Sequence, residues 1–499
     1  MSKRKKIWLV ALVAVALVVL IPLSLRRQAQ SHLSAYRKKL IASGEKLTVA
    51  EIAPKRNLQA TNTTRFLRLA SKLPQLADCL PTAMFSIQPG VARVAWQQPR
   101  CFETIDDRKP FTDVWPDFAD AARTNEQTLT ELRTLVRSGG IVFIEDYNQT
   151  NLNEGEFLNA ERELVMDLNA RTLLALHQGR PQEALPYLKS CGEVTQLNAQ
   201  GPLLIDQFVR YPCLSISAGG CWEALQGGSW TDDQLAEMQR PWKKLDVLGD
   251  LVECFAMERA RASNEFQLAR ASRQAFAAIS GDASGIRGMS EVWNDFWLDT
   301  RNGLKEILTS YPRYWEWSWI GSYREEQQYL EAMQSVIEAA RSAQKSRSKV
   351  VIPAAKATNF MLLQPEGPFT QLIVGQAARA QTLANMVTAA IALERFRLAH
   401  HAYPAALANL VPEFVQAVPV DYMDGRDLRY HLNPDRTYLL YSVGQDGVDN
   451  GGDPTPRTGG RPSFFGGRDW VWPRPATAKE MQGYEDQESK ASQSKSTLR

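Results

Sequence analysis

The amino terminus sets the first limit on how this chain folds. Between Lys3–Lys6 and Arg26–Arg27 runs "IWLVALVAVALVVLIPLSL", nineteen residues from Ile7 to Leu25 without a charge. As a helix rising 1.5 Å per residue it spans about 28 Å, the thickness of a bilayer's hydrocarbon core. Its length, with no small-x-small cleavage site before Arg26, predicts an uncleaved single transmembrane anchor at 7–25 rather than a removed leader. A short, strongly positive amino terminus resists translocation, whereas a long folded domain crosses with little regard to charge. Residues 1–6 are therefore expected as a cytoplasmic tail, with the bulk outside. Pro22 is tolerated in such a helix. The expected location is the bacterial inner membrane, single-pass, with the carboxyl-terminal bulk periplasmic or extracytoplasmic.

Beyond the anchor the composition is that of packed globular material: 499 residues, 44% hydrophobic and 23% charged. Nine of the 58 basic residues, and no acid, fall within residues 1–39, so the remainder carries a net charge of −6. That balance argues against a nucleic-acid surface, which needs a clustered positive face. Six cysteines (Cys79, Cys101, Cys191, Cys213, Cys221, Cys254) follow the anchor. An extracytoplasmic location permits disulfides, and buried free thiols in a helical core are the alternative.

The fold class is mainly α. Residues 26–60 read as a helical stalk and 61–382 as a large extracytoplasmic helical body, because its segments space apolar residues three and four apart. Thr231 with Gln234 forms a capping-box signature opening a long helix, and Gly179 with Pro181 marks the turn of a helix pair. "GIVFIEDY", Gly140 to Tyr147, is an isolated candidate strand. Aromatic residues crowd around Trp293, Trp297, Trp315, Trp317 and Trp319. A thick core explains them most simply, and an exposed sugar platform or membrane-surface belt are the rival explanations.

From Leu383 the texture changes. An apolar helical stripe ends at "HHAYP", and the short helix "AALANLVPEF" and "VPVD" follow. "LRYHL" and "TYLLYSV" alternate as an antiparallel hairpin around the "NPDR" turn, and "GQDG" opens a loop. This order resembles the globular half of the major pseudopilin of type II secretion systems, and defines a small α+β module over 383–472. The likeness covers residues 383–453. The family's amino-terminal cleavage signature is absent, and Tyr422 stands where the family has proline. The resemblance implies association with an envelope or secretion assembly, and a calcium ion in the loop after the last strand. Its ligands would be Asp446, Asp453 and a backbone carbonyl near Val443, with Asp449 and Asn450 offering further oxygens. The chemistry is reasonable by itself, since calcium takes six to eight oxygens and glycines let a loop aim them inward. A solvated acidic turn without an ion has the same composition. Residues 473–499 are expected to be a disordered tail, rich in Ser, Lys and Gln.

Catalytic signatures are lacking. The five histidines form no HExxH, and His400 and His401 point to different helix faces. No GxSxG, P-loop or GxGxxG occurs. Glu253, Glu258 and Glu265, interleaved with Arg259 and Arg261, read as a solvated face with ion pairs three and four apart. The functional expectation is a membrane-anchored extracytoplasmic structural or binding protein with envelope protein partners and no nucleic acid. A periplasmic hydrolase with its site among the body helices is the alternative.

Overall fold

The computed structural model describes residues 3–54, 62–74, 80–99, 113–139, 141, 147, 155–197, 201–280, 314–352, 368–457 and 460–497, and for 3–19, 368–369 and 489–497 the backbone alone. The chain is mainly helical with small sheets. Its helices are α1 (Lys3–Ala42), α2 (Val49–Ile52), α3 (Asn62–Ala70), α4 (Trp115–Thr124), α5 (Glu126–Ser138), α6 (Gly155–His177) and α7 (Pro181–Val194). They continue with α8 (Leu204–Gln226), α9 (Asp232–Lys243), α10 (Val247–Ala271), α11 (Arg273–Ser280), α12 (Ser322–Ser346), α13 (Pro368–His400) and α14 (Ala478–Thr497). A π-helical turn, Trp317–Gly321, leads into α12.

Local signals account for several boundaries. Gly179, at φ 68°, and Pro181 make the turn between α6 and α7. The Thr231 hydroxyl accepts the Gln234 N–H at 3.3 Å while Gln234 accepts the Thr231 N–H at 3.0 Å, so the expected capping box starts α9. The long helix expected beyond it breaks after Lys243, because the Asp246 carboxylate accepts the Gly249 N–H at 2.9 Å and caps a new helix, α10.

Helix α13 explains why one core serves most of the molecule. From Gln381 to Leu393 every residue except Asn385 is buried, so this helix has no solvent face there and lies among α8, α9 and α10. The polar groups on it are satisfied by neighbours: the Gln381 carbonyl accepts the Val247 N–H at 2.8 Å, and the Asn385 amide donates to the Val420 carbonyl at 2.7 Å. The boundary drawn at residue 382 falls inside this helix. Its Ile391 shares one apolar cluster with Trp222 of α8 and with Leu428, Leu440 and Trp470 from the carboxyl-terminal strands.

The expected hairpin is present. Strands β5 (Arg429–Leu432) and β6 (Tyr438–Ser442) pair antiparallel, with Tyr430 opposite Leu440, and β7 (Trp470–Val471) adds beyond β6. Strands β3 (Val420–Asp421) and β4 (Arg426–Asp427) form a short pair beside it. A separate sheet joins β1 (Phe85–Gln88) and β2 (Val91–Arg93), on which β8 (Arg474–Pro475) lies parallel to β2. The tail expected to be disordered over 473–499 therefore contains β8 and then α14. The reason is local: Thr477 and Glu480 cap each other, with the Thr477 N–H donating to Glu480 Oε2 at 2.8 Å.

Other expectations resolve in part. Gly140–Tyr147 lies almost entirely outside the described residues, as do Cys79, Cys101, Trp293 and Trp297. Cys191, Cys213, Cys221 and Cys254 are free and buried. Trp317 is buried against Phe266, Phe276 and Tyr314, as a core indole should be, while Trp315 and Trp319 face outward. The charge run on α10 is only partly a solvated face: Glu253 is exposed, and Glu258, Arg261 and Glu265 are half-buried. Arg259 is completely buried, because α2, α8, α11, α12 and α13 pack around this helix. The apolar run Ile7–Leu25 belongs to α1, and its side chains up to residue 19 lie outside the described residues. Among the described residues no helix is long and apolar enough to cross a membrane.

Candidate functional site

The Asp/Gly loop following β6 is organised around a carboxylate from outside it. Asp469, at the entry to β7, is fully buried, and its Oδ2 accepts the N–H groups of Gly452 at 2.7 Å, Asn450 at 3.1 Å and Asp453 at 3.2 Å. Main-chain donors, not acceptors, thus converge on the loop's centre. Gly452 makes this possible: its φ of 80° suits glycine, and a Cβ there would stand 2.7 Å from Leu439 Cδ2.

The four residues put forward for calcium take other roles here. Val443 is buried and donates its N–H to Asp421 Oδ2 at 2.9 Å. Asp446 accepts the Val448 N–H at 3.1 Å in an exposed turn. Asp449 accepts the Gly451 N–H at 3.0 Å and the Tyr441 hydroxyl at 3.1 Å, and lies 3.3 Å from Arg429. Asp453 accepts the Thr455 N–H at 3.0 Å and sits 3.7 Å from Arg468. Those hydrogen bonds hold both the Asp449 and the Asp453 carboxyls below the usual carboxylate range. The structure does not bring these carboxylates together. Among the described residues no three His, Cys, Asp or Glu side chains group so as to hold a metal ion.

Beneath the loop lies an acidic pair that the sequence reading passed over. Asp421 is fully buried and accepts from Met423 N–H at 3.0 Å and Ser442 Oγ at 2.9 Å, and burial pushes its carboxyl up. Arg429 lies 3.5 Å from it and pairs with Asp424, so one guanidinium ties β3, β5 and the loop. Asp421 belongs to the quoted "VPVD", but nothing local there marks the aspartate as buried, and nothing local marks Asp469.

Other buried centres also involve acids. Glu223 of α8 takes N–H groups from Met84 at 2.8 Å and Ala95 at 3.0 Å, which fastens the β1–β2 hairpin to the helices. Burial pushes its carboxyl up to about 8 against the pull of those donors and of Arg93. Between β1–β2 and the loop before β7 is a small hollow lined by prolines with Ser86, Gln88 and Ser463, and no titratable side chain lines it. The four buried cysteines are no better as nucleophiles, since burial raises every one of their thiols, Cys221 to about 12.

A further concentration of buried charge lies where α1 meets the body. Glu326 of α12 is fully buried and accepts from Arg37 of α1 and Arg270 of α10 at once. One helical stretch further on, Glu45 accepts from Arg341 at 2.8 Å, from Arg259 at 3.0 Å and from Gln334 at 3.2 Å. Burial would raise the Glu45 carboxyl, and Arg341, Gln334 and Arg259 together bring it down to about 2. Leu33 and Leu40, also buried, pack the same face of α1. Sequence spacing suggested ion pairs along α10, and Arg261 does act on Glu265 four residues on, but Arg259 and Arg270 pair across helices with partners more than 50 residues away.

The family models, the curated proteins and the solved structures compared with this chain give no match.

Proposed function

We propose that this chain is a membrane-anchored extracytoplasmic structural or binding protein in which the anchor helix and the body move as one piece. The single observation that carries this reading is the continuity of α1. Its first half contains the uncharged run Ile7–Leu25, and its second half is held against α10 and α12 through Glu326, Arg37 and Arg270. Buried ion pairs of this kind fix register between elements, which suits a mount and is unnecessary for a flexible tether. The pseudopilin-like order of residues 383–453 adds association with an envelope or secretion assembly to the proposal. Closely packed helices, and a hollow without titratable groups, fit a structural or binding role.

Membranes carrying the full chain, washed with alkaline carbonate, test the reading together with a phosphatase fused after Arg499. The chain should stay in the pellet, a version lacking residues 1–25 should be released, and the fused phosphatase should be active. Release of the intact chain would overturn the anchor, and an inactive phosphatase on a retained chain would reverse the orientation.

A further inference from the structure

Of the eleven large apolar side chains exposed among the described residues, five gather at one end. Leu20 (61%), Ile21 (50%) and Leu25 (44%) on α1 lie toward the same end of the molecule as Trp315 (56%) and Trp319 (40%). Cross-helix contacts prove the alignment. Arg26 lies over the Trp319 ring at 4.8 Å, Arg37 meets Glu326, and Glu45 meets Gln334, so α12 runs parallel to α1 at a nearly constant offset. Trp315 precedes Trp319 by four residues, about 6 Å of helix. It therefore comes level with the last turn of the uncharged run, near Pro22 to Leu25. The π-helical turn at Trp317–Gly321 separates the three indoles, with Trp317 directed into the core and its neighbours outward.

We infer that Trp315 and Trp319 rest in the headgroup layer of the bilayer, so that the body sits directly on the membrane rather than above it on a stalk. This rests on the anchor reading above. The argument for lipid as the occupant is continuity: the helix that presents Leu20, Ile21 and Leu25 continues backward through thirteen more uncharged residues, completing a run of nineteen, and a hydrocarbon core is what such a run matches. Indoles are favoured at that depth because the ring is apolar and its N–H wants a polar partner. Arg26 stacks on Trp319 from the helix, and Arg26 with Arg27 supplies positive charge for lipid phosphates.

The test is fluorescence of the full chain in vesicles of phosphatidylethanolamine and phosphatidylglycerol. The lipids carry bromine on the acyl chain, either near the carbonyl end or near the terminal methyl. Trp8, within the apolar run, reports the anchor, and its share is the quenching lost in Trp8→Phe. In the Trp8→Phe background, lipids brominated near the carbonyl should still quench, those brominated near the methyl should quench less, and Trp315→Phe/Trp319→Phe should abolish the difference. Both indoles are exposed, so the double variant should keep its far-ultraviolet dichroism. Quenching of Trp8 with none from Trp315 and Trp319 overturns the inference and leaves the anchor standing. No quenching of Trp8 overturns the anchor reading and this inference with it.

Discussion

Glu326 and Asp469 are both fully buried carboxylates, yet they are satisfied in opposite ways. Glu326 is held by side chains, Arg37 and Arg270, from two different helices. Asp469 is held by main-chain N–H groups from one short loop. The difference decides what each can do. Arginine pairing joins elements 289 residues apart in the case of Arg37, and each end can be cut by a substitution. An amide cradle shapes only its own loop, and its donors cannot be mutated away, so the carboxylate is the only point of attack. One device assembles the molecule and the other finishes a turn.

Cutting the first device should have the largest effect. Glu326→Ala leaves two guanidinium groups facing each other without a counterion, and should cost about 3 kcal/mol, the low end for a broken buried pair because Arg37 reaches solvent. Urea unfolding of the version lacking residues 1–25 measures it. If register rather than energy is the purpose of the pair, Arg37→Met/Glu326→Met/Arg270→Met should recover most of that stability, since an apolar replacement often matches a buried ion pair. A triple variant as unstable as Glu326→Ala would remove that distinction.

Cutting the second device should cost less. Asp469→Ala deprives three N–H groups of their acceptor, but the loop is half-exposed and water can reach it, so about 2 kcal/mol is expected. The loss should be local: hydrogen exchange should quicken at Asn450, Gly452 and Asp453 and stay unchanged in α13. Faster exchange throughout α13 would mean that Asp469 supports the shared core.

What the sequence made legible follows the same division between local and distant causes. The capping box at Thr231, the turn at Gly179–Pro181 and the hairpin around Pro434 were readable because each is determined within a few residues. The "TAKE" signature, Thr477 to Glu480, was equally local, and the helix it starts was missed because tail composition was given more weight than the cap. Arg259, Glu326 and Asp469 were hidden for a physical reason. Charged residues three and four apart look alike on a surface helix and on a buried one until the packing partners are known. Cys254, Phe255 and Met257 between Glu253 and Glu258 were the available hint that α10 is enclosed. Among the loop residues, the motif gave the glycines and aspartates but not the acid they surround.

Two other carboxylates respond to pH in opposite directions, because hydrogen bonds from its partners outweigh burial at Glu45 and burial outweighs them at Glu223. Glu45, arginine-paired, falls from 4.5 to about 2 on folding. Between those values the unfolded chain binds a proton that the folded one does not, so stability is complete above pH 4.5 and is lost as pH falls toward 2. Glu223, amide-cradled and deeply buried, rises from 4.5 to about 8. The folded chain then holds the extra proton, so its contribution is complete below pH 4.5 and declines as pH rises toward 8. Urea midpoints across pH 2–9 should lose their acid-side slope in Glu45→Gln and their alkaline-side slope in Glu223→Gln. Identical profiles in the two variants would show that these groups are not what sets them.

The smallest effect expected is that of calcium, and it tests the loop most directly. For an ion to use Asp449 and Asp453, it must displace Arg429 and Arg468 and turn carbonyls to where N–H groups now face Asp469. Desolvating a calcium while giving up those contacts leaves little net gain. Millimolar calcium, with magnesium as control, should therefore scarcely move the unfolding midpoint of the wild-type body. A calcium-specific rise that Asp446→Ala abolishes would show that the loop rearranges around an ion, as the pseudopilin likeness implies. In that case Asp469→Ala should bind calcium more tightly than wild type, because the loop's amides would no longer be held inward by a competing carboxylate.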